Sequence, residues 1–358
     1  MISLPKNLAV AVTVAFGLLL ATAPISPQFT QAAQAPQAPQ NPGPPAPQAP
    51  PSGGIRTTVE LVVVPVTVKD SRGGLVSDLR QDEFRVLEDG VEQRISIFSV
   101  EAVPLSAVVL VDDDLKTKTS ANVKESLMAV AGGFSDFDEV ALARFDAFYT
   151  PVLDFTADND QLITQLKHMD LNSTIPGAGS EPMTAGPTIN GHEAPGAPSV
   201  AEKPLHAGES TKHMNDAIHA AAEVLRTRGR DRRKVIVVIS DGINARNNTF
   251  SYDDTLKLLL SADISVYAVG VDAAVLNRGT TAMSHYAHAT GGDVYYAAHP
   301  DDLSRLYAQV SEQARHQYTI GYVPTTDRSK DYHTIEVRIR RPGLTLLARD
   351  GYYRIPRP

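Results

Sequence analysis

The chain has 358 residues, which exceeds the usual length of one domain and is enough to bury a sizeable core. Hydrophobic residues make up 42% and charged residues 21%, which argues against wholesale disorder and against a polytopic membrane protein. The formal net charge is -8 with acidic and basic residues mixed along the chain, so we expect no nucleic-acid partner. The sequence has no cysteine, so disulfides cannot stabilise the fold.

The N-terminal residues have the pattern of an export signal. Lys6 precedes an uncharged run over residues 8–23, and Thr30 and Ala32 provide a small-x-small cleavage site. We therefore predict a signal peptide over residues 1–32 and a periplasmic or secreted protein. The run is short for a bilayer span, and an uncleaved N-terminal anchor stays open as the alternative.

Residues 33–54 consist of Ala, Gln, Pro, Gly, Ser and Asn. Such a stretch has no apolar surface to bury, and its prolines lack backbone donors. The composition therefore predicts an extended, solvated linker.

Two segments have the alternating pattern of strands, at 55–103 and at 317–358. In the first, valines recur at every second position over 62–68, and Pro65 on the opposite face suggests a sheet edge or a bulge. The pair Asp89-Gly90 is typical of a hairpin. Each segment alone has too few strands for a stable sheet, so we predict one β-sandwich that is discontinuous in sequence.

Between them, residues 104–316 alternate strand and helix patterns, which predicts an inserted α/β domain. Continuous apolar runs at 108–111 and 235–239 are typical of central parallel strands covered on both faces, so we expect a doubly wound, mostly parallel sheet. Residues 172–209 are rich in Pro, Gly, Ala and Ser and predict an irregular excursion. The predicted strands are 106–111, 140–145, 234–240, 264–271 and 293–297, and the predicted helices are 121–134, 158–169, 211–227, 252–262, 281–289 and 301–314.

Polar residues follow the predicted strands at the edge of the sheet where such folds bind ligands. Asp112 and Asp114 come after the first strand and Asp241 after the central one, while Thr211 and Lys212 precede a helix. Oxygen ligands that converge from three loops are what an open Mg²⁺ site requires.

Several longer motifs resemble the von Willebrand factor A (vWA) family and, more narrowly, vWA-related proteins common in Acidobacteria. The resemblance covers about 59 to 353 and implies a vWA fold that binds a protein or peptide. The motifs are Asp82-Glu83-Phe84-Arg85-Val86-Leu87-Glu88-Asp89-Gly90, the run from Val103 to Asp112, Asp216-Ala217-Ile218, Val237-Val238-Ile239-Ser240-Asp241-Gly242, Thr290-Gly291-Gly292, Gly321-Tyr322-Val323-Pro324 and Gly351-Tyr352-Tyr353.

The resemblance also implies a metal-ion-dependent adhesion site, with the pattern D-x-S-x-S after the first strand, a Thr before the middle helix and an Asp after the next strand. Asp112 and Asp241 match the two aspartates. Asp114 and Lys116 stand where the two serines belong. Lys212 takes the place of the Thr, with Thr211 one residue early. The adhesion site is therefore predicted to be degenerate.

Two interpretations of this site stay open. In one, Lys116 pairs with the aspartates and replaces the charge of the metal, because a protonated lysine cannot ligate a cation. In the other, Asp112, Asp114, Thr211 and Asp241 still bind Mg²⁺ or Ca²⁺ while the Lys116 side chain extends outward.

The sequence predicts a non-enzymatic binding or adhesion protein with no cofactor beyond that possible metal. Its partner site would comprise the residues that follow the predicted strands or precede the middle helix, namely Asp112, Asp114, Lys116, Thr211, Lys212 and Asp241. The alternatives are a hydrolytic enzyme that uses Asp112, Asp114 and Asp241, or a structural envelope protein. No Gly-x-Ser-x-Gly, phosphate-loop or zinc-protease motif is present to support an enzyme.

Overall fold

The computed structural model describes residues 61–171, 188–189, 192–193, 212–325 and 329–354. The predicted signal peptide and linker, most of the predicted excursion and Thr211 lie outside these residues. No helix in the described ranges is both long enough and apolar enough to span a bilayer.

Strands and helices alternate through the middle of the chain, with strands at both ends. The strands are β1 (Val62–Lys69), β2 (Phe84–Glu88), β3 (Val91–Gln93), β4 (Ile95–Ser99), β5 (Leu105–Asp112), β6 (Glu139–Phe145), β7 (Tyr149–Thr156), β8 (Thr188–Ile189), β9 (His192–Glu193), β10 (Arg233–Ser240), β11 (Ile264–Gly270), β12 (Val294–Tyr296), β13 (Tyr318–Tyr322), β14 (Tyr332–Ile339), β15 (Thr345–Ala348) and β16 (Gly351–Tyr353). The α-helices are α1 (Thr117–Ser126), α2 (Met128–Gly132), α3 (Asn159–His168), α4 (Met214–Arg226), α5 (Tyr252–Ser261), α6 (Ala273–Leu276), α7 (Ala282–Ala289) and α8 (Asp302–Arg315).

The central sheet has the order β12-β11-β10-β5-β6-β7. All neighbouring pairs are parallel except β6 and β7, which are antiparallel. Counted in chain order within this sheet, the strands follow 3-2-1-4-5-6, the order of a doubly wound fold. The predicted α/β fold class is confirmed.

Both faces of the central sheet are buried by helices, which explains the continuous apolar runs. Successive residues of β5 point to opposite faces, so Val108 and Leu110 enter one core while Val109 and Val111 enter the other. Helices α4, α5 and α7 cover the first face, and α1, α2, α3 and α8 cover the second.

The structure differs from the sequence prediction at β7 and at the first helix. No strand was predicted at β7, whose residues are half-buried and include Pro151, which only an edge strand accommodates well. The helix predicted over 121–134 is two helices that meet at Leu127. Ser126 Oγ donates to the Val123 carbonyl, three residues earlier, at 2.8 Å, at the point where α1 ends.

The end segments of the chain form a β-sandwich, as predicted. One sheet has the order β15-β1-β13-β4 and the other β16-β14-β2-β3, so each combines strands from both segments. Val64 pairs with Ile320 in the first sheet and Val86 with Val337 in the second. The prediction that Pro65 marks an edge strand or a bulge is wrong. β1 is central and regularly paired, and the proline is tolerated because β15 pairs with β1 only from Val66 onward.

Polar contacts join the sandwich to the α/β domain, and the described residues belong to one compact unit. Lys69 of β1 forms an ion pair with Asp293. Arg349 binds Asp263 at 2.5 Å and the Val63 carbonyl at 2.7 Å. The proposed domain boundaries themselves stay predictions.

Candidate functional site

The candidate site lies at the carboxyl ends of β5 and β10, an edge of the central sheet that we call the top. Asp112 is the last residue of β5, and Asp241 directly follows β10. Ligands of doubly wound sheets bind beyond this edge, at the point where the strand order reverses. That point is β5, because the chain continues from it to β6 on one side and returns as β10 on the other.

Lys212 joins the two aspartates. Its Nζ donates to Asp112 Oδ2 at 3.2 Å and to Asp241 Oδ2 at 2.8 Å. All three residues are buried: the exposed fraction of the surface is 0% for Asp112, 4% for Asp241 and 3% for Lys212. Because an unpaired charge inside a protein is strongly unfavourable, these ion pairs explain how three charged residues are accommodated below the surface.

The remaining carboxylate contacts come from one hydroxyl and two backbone groups. Ser240 Oγ donates to Asp112 Oδ2 at 2.6 Å. Asp112 Oδ1 accepts from the Asp114 N–H and Asp241 Oδ1 from the Ile243 N–H, each at 3.0 Å. In each aspartate one oxygen therefore faces the lysine, while a backbone N–H two residues on fixes the other.

Two carboxylates share one ammonium group in this cluster. Burial raises the pKa of Asp112 to about 6, against the opposing effect of Lys212 and the Ser240 hydroxyl. Burial also disfavours the charged form of Lys212, but Asp112 and Asp241 outweigh it and raise the pKa of Lys212. At neutral pH Lys212 is therefore charged and Asp112 is mostly ionised.

The structure corrects the role predicted for Lys116. Its side chain is exposed just before α1, and Asp114 is exposed as well. The hypothesis that Lys116 supplies the internal cation is wrong. Lys212 supplies it, because α4 begins at Met214 and the preceding residues pass over the ends of β5 and β10. The shift of Thr211 into the site stays a prediction.

The vWA resemblance implies a divalent cation at this position, and the described residues do not fit one. The Oδ2 atoms of Asp112 and Asp241 accept from the Lys212 ammonium group instead of facing an open position. A protonated lysine has no lone pair for a cation and repels it. Across the described ranges, no group of three acidic, histidine or cysteine side chains is arranged to hold a metal.

Two further aspartates, which the sequence analysis did not assign to the site, fix the loops around it. Asp113 is buried and accepts from Arg144 Nη1 at 2.8 Å, which ties the end of β5 to β6. Asp216 accepts from the backbone N–H groups of Thr249 and Phe250 at 2.9 and 2.8 Å, which ties the loop after β10 to α4. The sequence did not predict that these two aspartates fix loops, because the groups that they bind are distant along the chain.

Among the described residues, several large apolar side chains are exposed at the top, and we call three of them, Phe148, Ile243 and Leu276, the apolar rim. Phe148 lies between β6 and β7 and is 70% exposed, Ile243 follows β10 and is 42% exposed, and Leu276 ends α6 and is 87% exposed. Phe137 is 77% exposed but precedes β6, so it lies at the opposite edge of the sheet. The rim was not predicted from the sequence, because only the topology brings its loops to one edge of the sheet.

Residues 201–309 match the family model of the von Willebrand factor type A domain. Together with the topology of the central sheet, this match shows that the chain contains a vWA domain with the vWA fold. No curated protein matches the sequence.

Solved structures with distant similarity include proximal thread matrix protein 1 from the mussel byssus, which is 12% identical with a TM-score of 0.41 over 61% of this chain and 49% of that one. BatB from Bacteroides thetaiotaomicron is 13% identical with a TM-score of 0.38 over 59% and 98% of the two chains. A von Willebrand factor type A protein from Catenulispora acidiphila is 10% identical with a TM-score of 0.42 over 75% and 73%. The chain thus spans about half the length of the mussel protein.

Proposed function

We propose that this is an exported, non-enzymatic protein that binds a protein or peptide partner through the top of its vWA domain. The presence of a vWA domain suggests protein–protein interaction or adhesion. The proposal goes further in three respects: the surface used, the degenerate adhesion site and export.

The observation that carries the choice of surface is the apolar rim. Contiguous exposed apolar patches on soluble proteins mark interaction sites, and we propose the rim as such a patch. The rim residues come from three separate loops above the same sheet edge. The loop that leads to Leu276 passes through Asp272, a non-glycine residue with φ 44°, and such strain is concentrated at functional sites.

The chemistry of the acidic residues supports binding over hydrolysis. A catalytic carboxylate must reach its substrate, whereas Asp112 and Asp241 are buried and paired with Lys212. Asp114 is exposed, and it forms no group with Asp112 and Asp241 that could hold a metal ion. Among the described residues, the hydrolytic alternative therefore has no arranged set of groups to support it.

Export is proposed from the sequence alone. The uncharged run 8–23 after Lys6 and the site after Ala32 predict cleavage by a signal peptidase. Mass measurement of the protein recovered from the envelope tests this, and a mature chain that begins at Ala33 is expected. Recovery of the intact N-terminus in the membrane fraction would favour the anchor.

The binding surface is tested by cross-linking the full chain in envelope extract and identifying its partners by mass spectrometry. Phe148→Asp and Leu276→Asp introduce charge into the rim, and Phe137→Asp makes the same change at the opposite edge as a matched control. We expect a partner that is captured by the wild type and by Phe137→Asp and is lost with the two rim variants. Equal capture by all four proteins would contradict the top as the binding surface.

A further inference from the structure

We infer that Lys212 is a built-in replacement for the divalent cation of an adhesion site, so that the top of this vWA domain is assembled permanently without metal. The inference concerns the chain itself and does not depend on the identity of the partner.

The lysine makes the same connections that a bound metal would. Its ammonium group links the end of β5, through Asp112, to the loop after β10, through Asp241. Its backbone stands two residues before α4, and its carbonyl accepts from the Ala245 N–H at 2.7 Å. One side chain therefore holds three loops together, without the proton release or ion uptake that a metal site needs.

The lysine and a metal ion exclude each other at this position. Mg²⁺ binds oxygen at roughly 2.0–2.1 Å, so an ion between the two Oδ2 atoms would occupy the space of Nζ. Nζ lies 2.8 and 3.2 Å from those atoms. To admit an ion, Lys212 would have to leave a buried position and give up both ion pairs.

The internal cation is closed to a partner. Asp112 and Lys212 lie almost wholly beneath the surface, so an acidic side chain of a partner cannot reach the ammonium group. This consequence rests on the proposed function: recognition shifts from an acidic group seated on a cation to apolar groups seated on Phe148, Ile243 and Leu276. The partner segment is then expected to be apolar.

The test is a titration of the full chain with Mn²⁺, followed by calorimetry and by the electron paramagnetic resonance of the free ion. Two variants isolate the lysine. Asp114→Ser with Lys116→Ser restores the hydroxyls of the first loop but keeps Lys212, and the triple variant adds Lys212→Thr. We expect no Mn²⁺ binding below about 1 mM for the wild type and the double variant, and at least tenfold tighter binding for the triple variant.

Three outcomes would overturn the inference: binding by the double variant, no binding by a folded triple variant, or wild-type binding that Asp241→Asn abolishes. If the triple variant does not fold, the wild type and the double variant decide the question by themselves. No partner is present in these assays, so a failure here is distinguishable from a failure of the proposed binding surface.

Discussion

Lys212 forms ion pairs with both Asp112 and Asp241, which lie 100 and 29 residues away along the chain. The three residues come from the end of β5, the residues before α4 and the loop after β10, and the pairing brings these parts of the chain together at the top of the sheet. One ammonium group therefore faces two buried carboxylates at this position.

Removal of the lysine should destabilise the protein strongly. Lys212→Met leaves two buried carboxylates without a cation, and loss of one partner of a buried ion pair costs about 3–5 kcal/mol. Urea unfolding measures the change. Lys116→Met is the matched control, and we expect it to lie within about 0.5 kcal/mol of the wild type because its side chain is exposed. Adding Asp112→Asn and Asp241→Asn to Lys212→Met should recover part of the loss, and no recovery would contradict the charge-pairing explanation.

Asp112 should make stability depend on pH in an unusual direction. Burial raises its folded pKa to about 6, above the ordinary value of 3.8, so between these values the folded state holds a proton that the unfolded state has lost. The stabilising contribution is full below the lower value and is lost as the pH rises through the higher one. The difference of about two pH units corresponds to about 3 kcal/mol at most.

Urea unfolding of the wild type and of Asp112→Asn from pH 4 to pH 7 checks this prediction. The wild type should lose stability relative to the variant as the pH rises. A constant difference, or one of opposite sign, would show that the pKa of Asp112 is not raised.

Replacement of Gly242, which follows Asp241, should destabilise the fold for two separable reasons, its backbone conformation and the close approach of Thr281. Its φ is +78°, and a Cβ there would lie 2.6 Å from Thr281 Cγ2. Gly279 has a similar φ of +76° with nothing within 4 Å, so Gly279→Ala isolates the cost of the backbone conformation. Thermal unfolding should show a loss of about 1 kcal/mol for Gly279→Ala and a clearly larger loss for Gly242→Ala. Equal losses would mean that the loop yields to the added methyl group.

Arg233 should couple the sandwich to the α/β domain. Its half-buried guanidinium donates to the Gln317 carbonyl at 2.7 Å and to Thr319 Oγ1 at 2.9 Å, and desolvation lowers its pKa to about 10. Arg233→Met should cost about 2–3 kcal/mol because it leaves buried acceptors unsatisfied. Arg230→Met is the exposed control. Calorimetric unfolding should be a single transition in the wild type, and two separate transitions would contradict close coupling of the two parts.

Hydrophobic pattern was sufficient to predict the central strands and the sandwich from the sequence, because β5 and β10 are buried on both faces and β1 on alternate residues. The pattern failed at β7, where Pro151 and half-burial obscure an edge strand. The motif spacing also identified Asp112 and Asp241 correctly as neighbours.

Sequence could not decide between the two lysines of the motif, because Lys116 and Lys212 both stand at positions where an oxygen ligand is expected. The choice depends on where the chain enters α4 relative to the ends of β5 and β10, which is a property of the packed fold. The apolar rim was missed for a related reason, since only the topology brings its three loops to one edge.

The most direct test of the account is a crystal structure of the wild-type protein grown with Mn²⁺, with anomalous diffraction measured at the manganese edge. We predict Lys212 Nζ between the Oδ2 atoms of Asp112 and Asp241, with no anomalous peak at that position. An anomalous peak coordinated by the two aspartates, with the Lys212 side chain displaced, would contradict the replacement of the metal by lysine.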